Sequence, residues 1–293
     1  MAFIVEQGDG IAKLEFHNQD LSPTNAELLI ELRTKSILKN PEVRGRLMGP
    51  SCVYSSTIEI AYPMKNWDVA VDEPVLVTKV IIPEPSLWDP VSPFLYYGPL
   101  ELWEGEECLA RGKLTHGLRS IQMTPRGLRW NGKPMVLRGT VVDEVTELDL
   151  VGLREAGFNA IVLTKSARNL ETTALADKYG IVILVQLQSL DELDWLHPLA
   201  SYASVLGWIV PEEVLGDDTF RDKFSPLVVA NNQLIGVEVK TGHIPADRGI
   251  AFAFGDDNTL SMCDGSRLPG LILVDAIPQS VSDEESVVGY IRK

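Results

Sequence analysis

The side chains in this chain with the greatest capacity for chemistry are its carboxylates. Asp and Glu number 41, and several fall in pairs after apolar runs: Asp143-Glu144 after Val136–Val142, Glu212-Glu213 after Val205–Val210, Asp256-Asp257 after Ile250–Phe254. Such pairs also have ordinary structural uses. Glu212-Glu213 reads as a helix start, where the dipole favours negative charge, and Asp256-Asp257-Asn258 reads as a turn closing a strand. Asp275 and Glu238 are isolated carboxylates. His17, His116, His197 and His243 show neither HxH nor HExxH spacing, so no metal centre is expected. Cys52, Cys108 and Cys263 are odd in number and lack CxxC spacing, which argues against a zinc site and a disulfide framework. Reduced thiols and a cytoplasmic setting are the expectation. Phosphate loops of the GxGxxG or GxxxxGK type are absent, so no nucleotide cofactor is expected.

The chain that must position these groups has 293 residues, enough for about two domains, each with its own core. It is 45% hydrophobic and 23% charged, an ordinary globular mixture. Its net charge of −15 repels phosphate backbones and anionic lipid, so nucleic acid and membrane surfaces are excluded as expected partners. The strongest apolar run, Ile181–Val185, is far shorter than the ~20 residues needed to cross a bilayer. Met1–Gly10 lacks a basic segment followed by an apolar one, the signature of a secretory signal.

Two periodicities divide the chain. Up to about Met123, short alternating segments (Ala12–Phe16, Glu27–Thr34, Thr57–Ala61, Val75–Ile82, Leu100–Trp103, Gly117–Met123) are separated by Pro, Gly, Asn and Asp clusters. That spacing predicts an immunoglobulin-like antiparallel β-sandwich over residues 1–123. From 124 to 293, apolar β runs alternate with helical ones. Val136–Val142 is followed by a helix capped by Thr146, with Leu148, Val151, Leu153 and Ala156 on one face and Gly157 as its stop. Ala160–Thr164, a helix over Asn169–Tyr179, Ile181–Val185, a helix over Leu190–Leu199, and Val205–Val210 complete four βα units. The arrangement predicts a parallel, helix-covered sheet, half of a (β/α)₈ barrel. Further β runs fall at Leu227–Ala230, Ile235–Val239, Ile250–Phe254 and Leu271–Val274, and Ser282–Ile291 reads as a closing helix. Asn231–Leu234 is too short for a crossover helix, so Leu227–Ala230 and Ile235–Val239 are expected to form a hairpin or to lie adjacent without cover. The barrel is therefore expected to be degenerate, with helices missing from its second half and an apolar face that the closing helix Ser282–Ile291, a second copy or a partner protein would cover.

Seven motifs carry a resemblance to a known family. Pro85-Ser-Leu-Trp-Asp-Pro-Val-Ser-Pro-Phe-Leu-Tyr96, Gly117-Leu-Arg119, Asn131-Gly-Lys-Pro134, Leu137-Arg-Gly139, Gly157-Phe-Asn-Ala160, Asp177-Lys-Tyr-Gly180 and Ser204-Val-Leu-Gly-Trp208 resemble, in order and spacing, glycoside hydrolase family 2. That family comprises β-galactosidases, β-glucuronidases and β-mannosidases. The resemblance implies a sandwich followed by a catalytic barrel, with carbohydrate as ligand and two strand-end carboxylates as retaining machinery, ~5–5.5 Å apart.

By motif position the resemblance makes Glu213 the acid/base, with Glu212 where the family has an Asn. Other family positions have changed. A His-Glu pair becomes Asp143-Glu144, an Arg-Thr-Ser-His run becomes Leu163-Thr-Lys165-Ser166, and an Asp-Glu pair becomes Val185-Gln186. Asp143, Glu144, Lys165, Gln186 and Glu212 thus stand where the family contacts substrate. No Glu follows Ile250–Phe254, read as the seventh strand, and Asp256 and Asp257 are the nearest replacements for the nucleophile. Packing motifs persist while polar strand-end groups are lost. The first reading is therefore a catalytically impaired homologue serving carbohydrate recognition or as a scaffold. A retaining glycosidase using Glu213, and a subunit completed by a partner chain, are the alternatives.

Overall fold

A computed structural model of the chain describes residues 2–69, 73–164, 168–241, 249–261, 268–278 and 287–293. It divides into two units, Met1–Arg119 with Ser201–Ala203, and Ser120–Ala200 with Ser204–Lys293.

Among the described residues the first unit contains nine strands: β1 (Ala2–Gly8), β2 (Ile11–Leu21), β3 (Asn25–Thr34), β4 (Pro41–Ser51), β5 (Ile60–Pro63), β6 (Lys65–Val69), β7 (Val75–Pro83), β8 (Leu95–Glu104) and β9 (Glu107–His116). They form two antiparallel sheets, ordered β2-β3-β7-β6 and β1-β9-β8-β4-β5. Strict alternation explains the layering. In β3, Ala26, Leu28, Ile30 and Leu32 all point to one side and are buried, while the intervening residues are partly exposed. These residues meet Val43, Leu47, Leu100, Leu102 and Leu114 of the other sheet in one apolar core. His116 is buried there against Phe16, and burial above all, with nearby positive charge including the Arg119 guanidinium, pushes its imidazole well below its ordinary pKa. Gly117–Met123, expected as one strand, is instead an irregular stretch, Gly117–Ser120, after the end of β9, followed by a separate strand, β10 (Ile121–Thr124). Cys52 and Cys108 are free thiols; Cys263 lies outside the described residues.

In the second unit, β10 forms a small antiparallel sheet with β11 (Gly127–Trp130) and β12 (Lys133–Pro134). Eight parallel strands then close a barrel in sequence order: β13 (Leu137–Val142), β14 (Ala160–Leu163), β15 (Val182–Gln186), β16 (Val205–Pro211), β17 (Leu234–Glu238), β18 (Phe252–Asp256), β19 (Gly270–Val274) and β20 (Val287–Arg292). Burial in β14, β15 and β16 is continuous rather than alternating, as expected of parallel strands covered on both faces.

Local chemistry sets the crossovers. Helix α1 (Glu147–Glu155) begins with a capping box in which Thr146 and Asp149 bond each other's backbone N–H. The face it buries is set by Leu150; Leu148, expected inward, is 82% exposed. Helix α2 (Leu170–Tyr179) is capped by the Asn169 side chain and stopped by Gly180 at φ 70°. The stretch expected as one helix over Leu190–Leu199 is broken into 3₁₀ turns around α3 (Leu193–Leu196).

Two expectations for the second half are corrected. Leu227–Ala230 is not a strand but belongs to helix α4 (Phe220–Asn231), which ends at left-handed Asn232. Tertiary setting overrides the β-branched residues and the internal Pro226. Helix α4 begins well ahead of Asn231–Leu234, so β16 and β17 are joined by a true crossover and pair in parallel. The hairpin and the uncovered apolar pair lose their premise. The expected helix Ser282–Ile291 is corrected as well: Val287–Arg292 is the closing strand β20, paired with both β13 and β19, while residues 282–286 lie outside the described chain. Gly289 allows that closure, because a Cβ there would collide with the Leu137 carbonyl. In the second half, the short helix α5 (Asp257–Ser261) follows β18. Among the described residues, no helix is long and apolar enough to cross a membrane.

Candidate functional site

The C-terminal ends of four neighbouring barrel strands open into a pocket of about 430 Å³. Thr164 follows β14, Gln186 ends β15, Pro211 ends β16 and Glu238 ends β17; Leu187, Gln188, Glu213, Val214 and Lys240 complete the lining. This is the end of a (β/α)₈ barrel at which ligand sites are found.

Glu213 lies in the 3₁₀ turn Glu212–Gly216 directly after β16, with a side chain 65% exposed. Its Oε1 accepts a hydrogen bond from Lys240 Nζ at 3.0 Å. Its own backbone N–H first, and then Lys240, hold the carboxyl below the usual Glu range. Lys240 is in turn raised by Glu213. Glu212 has a different task. Its Oε2 accepts from the backbone N–H groups of Lys240 (2.7 Å) and Thr241 (2.8 Å), and the Thr241 hydroxyl donates to Oε1. It fastens the segment that carries Lys240 and does not line the pocket.

A buried ion pair supports the β15 wall. Arg168 donates to Glu192 through Nη1 (2.7 Å) and Nη2 (3.0 Å), and through Nη1 to the Gln186 carbonyl at 3.0 Å. Glu192 also accepts from the Gln188 backbone N–H at 2.9 Å, so one guanidinium–carboxylate pair holds the chain on both sides of Leu187. The Arg168 side chain is fully buried and that of Glu192 is 12% exposed. Behind the β16 end, buried Trp208 donates Nε1 to Gln233 at 2.8 Å, and Gln233 bonds the Ala200 carbonyl at 2.9 Å.

The remaining expected site residues are scattered. Asp143 is exposed and accepts a hydrogen bond from the Thr164 hydroxyl; Glu144 is exposed in the same bend. Neither lines the pocket. Lys165 lies outside the described residues. Asp256 and Asp257 require a correction of address. Because Leu227–Ala230 is helical, β18 is the sixth barrel strand, and the seventh is β19, followed by Asp275. Asp256 caps α5: its Oδ1 accepts from Thr259 N–H at 2.8 Å and Thr259 Oγ1 at 2.6 Å, which lowers its pKa. Asp257 and Asp275 are exposed, and none of the three lines the pocket. Among the described residues no cluster of three His, Cys, Asp or Glu is placed to hold a metal ion.

Sequence reasoning missed Gln188, Lys240 and the Arg168–Glu192 pair. Lys240 was findable once α4 is read as a helix, since it then falls two residues beyond the fifth strand.

No protein-family profile matches the chain. Among curated proteins it is 27% identical over 167 residues to a β-galactosidase of Oenococcus oeni, covering 53% of this chain and 15% of that protein. It is 26% identical over 170 residues to a β-galactosidase of Bacteroides ovatus, covering 53% and 20%. The chain thus spans a fifth or less of these relatives. Among solved structures, a glycosyl hydrolase family 2 member from Bacteroides cellulosilyticus matches with TM-score 0.68 at 16% identity, over 95% of this chain and 43% of that one. A β-glucuronidase from Ruminococcus gnavus matches with TM-score 0.69 at 12% identity, over 96% and 60%. The sandwich, the eight-stranded barrel, the motifs along the chain and these likenesses converge: the chain is related to glycoside hydrolase family 2.

Proposed function

We propose that the chain is a carbohydrate-recognition relative of the family 2 glycosidases, which holds a saccharide at the barrel mouth without hydrolysing it. We read the first unit as an immunoglobulin-like sandwich, on the strength of its four-stranded sheet ordered β2-β3-β7-β6 and its β9-β8-β4 counterpart. The barrel unit then carries the function. Thr164, Gln186 and Gln188 offer donors and acceptors for sugar hydroxyls, beside the apolar surfaces of Leu187, Pro211 and Val214.

The observation that carries the non-hydrolytic reading is the Lys240–Glu213 pair. A general acid must be protonated at the working pH, and glycosidases raise its pKa by apolar surroundings. Glu213 is shifted the other way, with an ammonium on the oxygen a leaving group would need. The strand-seven end supplies an exposed Asp275 instead of a Glu, and it is not part of the pocket. One observation favours hydrolysis: Glu238 shares the pocket with Glu213 and is a second carboxylate there.

Aryl β-galactosides, β-glucuronides and β-mannosides separate the two readings. Turnover by the chain is expected to match that of its Glu213→Gln variant, while saccharide titration shifts the side-chain amide resonances of Gln186 and Gln188. Hydrolysis that vanishes in Glu213→Gln would overturn the non-hydrolytic reading; unmoved amide resonances with every saccharide would overturn recognition.

A further inference from the structure

Resting on the saccharide-recognition reading above, we propose that the pocket selects a saccharide bearing a protonated amine over a neutral one and rejects one bearing a carboxylate, with Glu238 as the selecting group. The charged lining among the described residues consists of Glu213, Glu238 and Lys240, two negative charges against one positive. The positive charge is already engaged. Lys240 Nζ sits 3.0 Å from Glu213 Oε1, and Glu212 accepts from the Lys240 backbone N–H, so a ligand anion must compete with Glu213 for the ammonium. Behind the wall, Arg168 is fully buried and forked onto Glu192.

Glu238 is in the opposite condition. It ends β17, is partly buried at the pocket wall, and among the described residues receives no hydrogen bond or close ion pair; Lys240 acts on it only through space. A carboxylate partly withdrawn from water and left without a donor favours a ligand that brings one. An ammonium brings three N–H donors and a compensating charge. A ligand carboxylate would instead meet two like charges with no unengaged cation among the described lining. The field of a chain with net charge −15 opposes its approach as well. Hydroxyl recognition by Gln186, Gln188 and Thr164 is common to all three ligand types, so the difference between them reports on Glu238.

Titration of the whole chain with methyl β-glucosaminide, methyl β-glucoside and methyl β-glucuronide at neutral pH and low salt, followed by calorimetry or amide shifts, tests the proposal. The amine is expected to bind about tenfold tighter than the neutral glucoside, as a charge-assisted hydrogen bond supplies, and the glucuronide more weakly than either. Glu238→Gln is expected to bring the amine-to-neutral affinity ratio close to one, and Glu238→Asp, which keeps the charge, to leave it above one. Equal binding of all three, or tightest binding of the glucuronide, would overturn charge selection while leaving saccharide recognition standing. A ratio unchanged in Glu238→Gln would remove Glu238 from the role. Binding of none of the three would instead bring down the recognition reading, and this proposal with it.

Discussion

The barrel mouth has two arcs, and they use the same kind of residue differently. Around β14 to β17, strand-end side chains open into a pocket that Glu213, Glu238 and Lys240 line. Around β18 to β20, Asp256 is occupied by Thr259 at the start of α5, and Asp275 lies exposed beyond β19. A carboxylate at the C-terminal end of a barrel strand is therefore not a working group by virtue of its address. Asp256 is spent on the start of α5, whereas Glu213 and Glu238 line the pocket.

The largest expected effect sharpens that contrast by removing the support under the pocket arc. Arg168→Met leaves Glu192 desolvated without its partner and is expected to destabilise the barrel by about 3 kcal/mol in urea unfolding. It should also loosen the Gln186–Gln188 wall. A loss under ~1 kcal/mol would mean that the pair is incidental to the wall.

Asp256→Ala probes the other arc. Loss of its two bonds to Thr259 is expected to lower the thermal midpoint by about 2 °C. Saccharide titration curves should not move. If binding weakens with the cap, the two arcs form one site and the comparison fails.

Glu212→Ala is expected to act more locally still. The Lys240 and Thr241 amides lose their acceptor, so their hydrogen exchange should accelerate while amides of β18 and β19 keep their rates. Unchanged exchange at 240 and 241 would remove Glu212 as the fastener of that segment.

Much of the fold was legible because burial leaves a period. The alternation of Ala26, Leu28, Ile30 and Leu32 marks a half-buried strand, and the unbroken runs Ala160–Leu163, Val182–Val185 and Val205–Val210 mark buried parallel ones. Thr146, Asn169 and Gly180 announced the helix ends where the structure has them. Two segments misled for physical reasons. Pro226 followed by Leu-Val-Val-Ala230 has strand-like composition, yet the crossover between β16 and β17 makes it helix. Asp283-Glu284-Glu285 resembles a helix start, yet closing the barrel places Val287–Arg292 in a strand. The errors offset in the strand count and shifted the strand identities. Asp256 and Asp257 were consequently assigned to the seventh strand end when they stand at the sixth. The site was less legible than the fold. Glu213 was placed by its motif, but the lysine that bonds its carboxylate lies 27 residues away, just beyond the next strand's end, a pairing that no local pattern announces.

Glu213 and Asp256 both have lowered pKa values, so the sign of their effect on stability is the same. The stabilisation from each is present above the unfolded carboxylate pKa of about 4 and is lost as pH falls through the lower folded value. Neither is expected to change stability between pH 8 and 6. A glycosidase acid would behave otherwise, titrating near or above 6.

The account therefore turns on the ionisation of a single side chain. Carboxyl ¹³C NMR of Glu213, assigned by comparison with Glu213→Gln, is expected to show a titration midpoint below the usual Glu value. In Lys240→Gln the midpoint should rise towards that value. A Glu213 midpoint well above the ordinary range, insensitive to Lys240→Gln, would contradict the non-hydrolytic reading and restore Glu213 as a general acid.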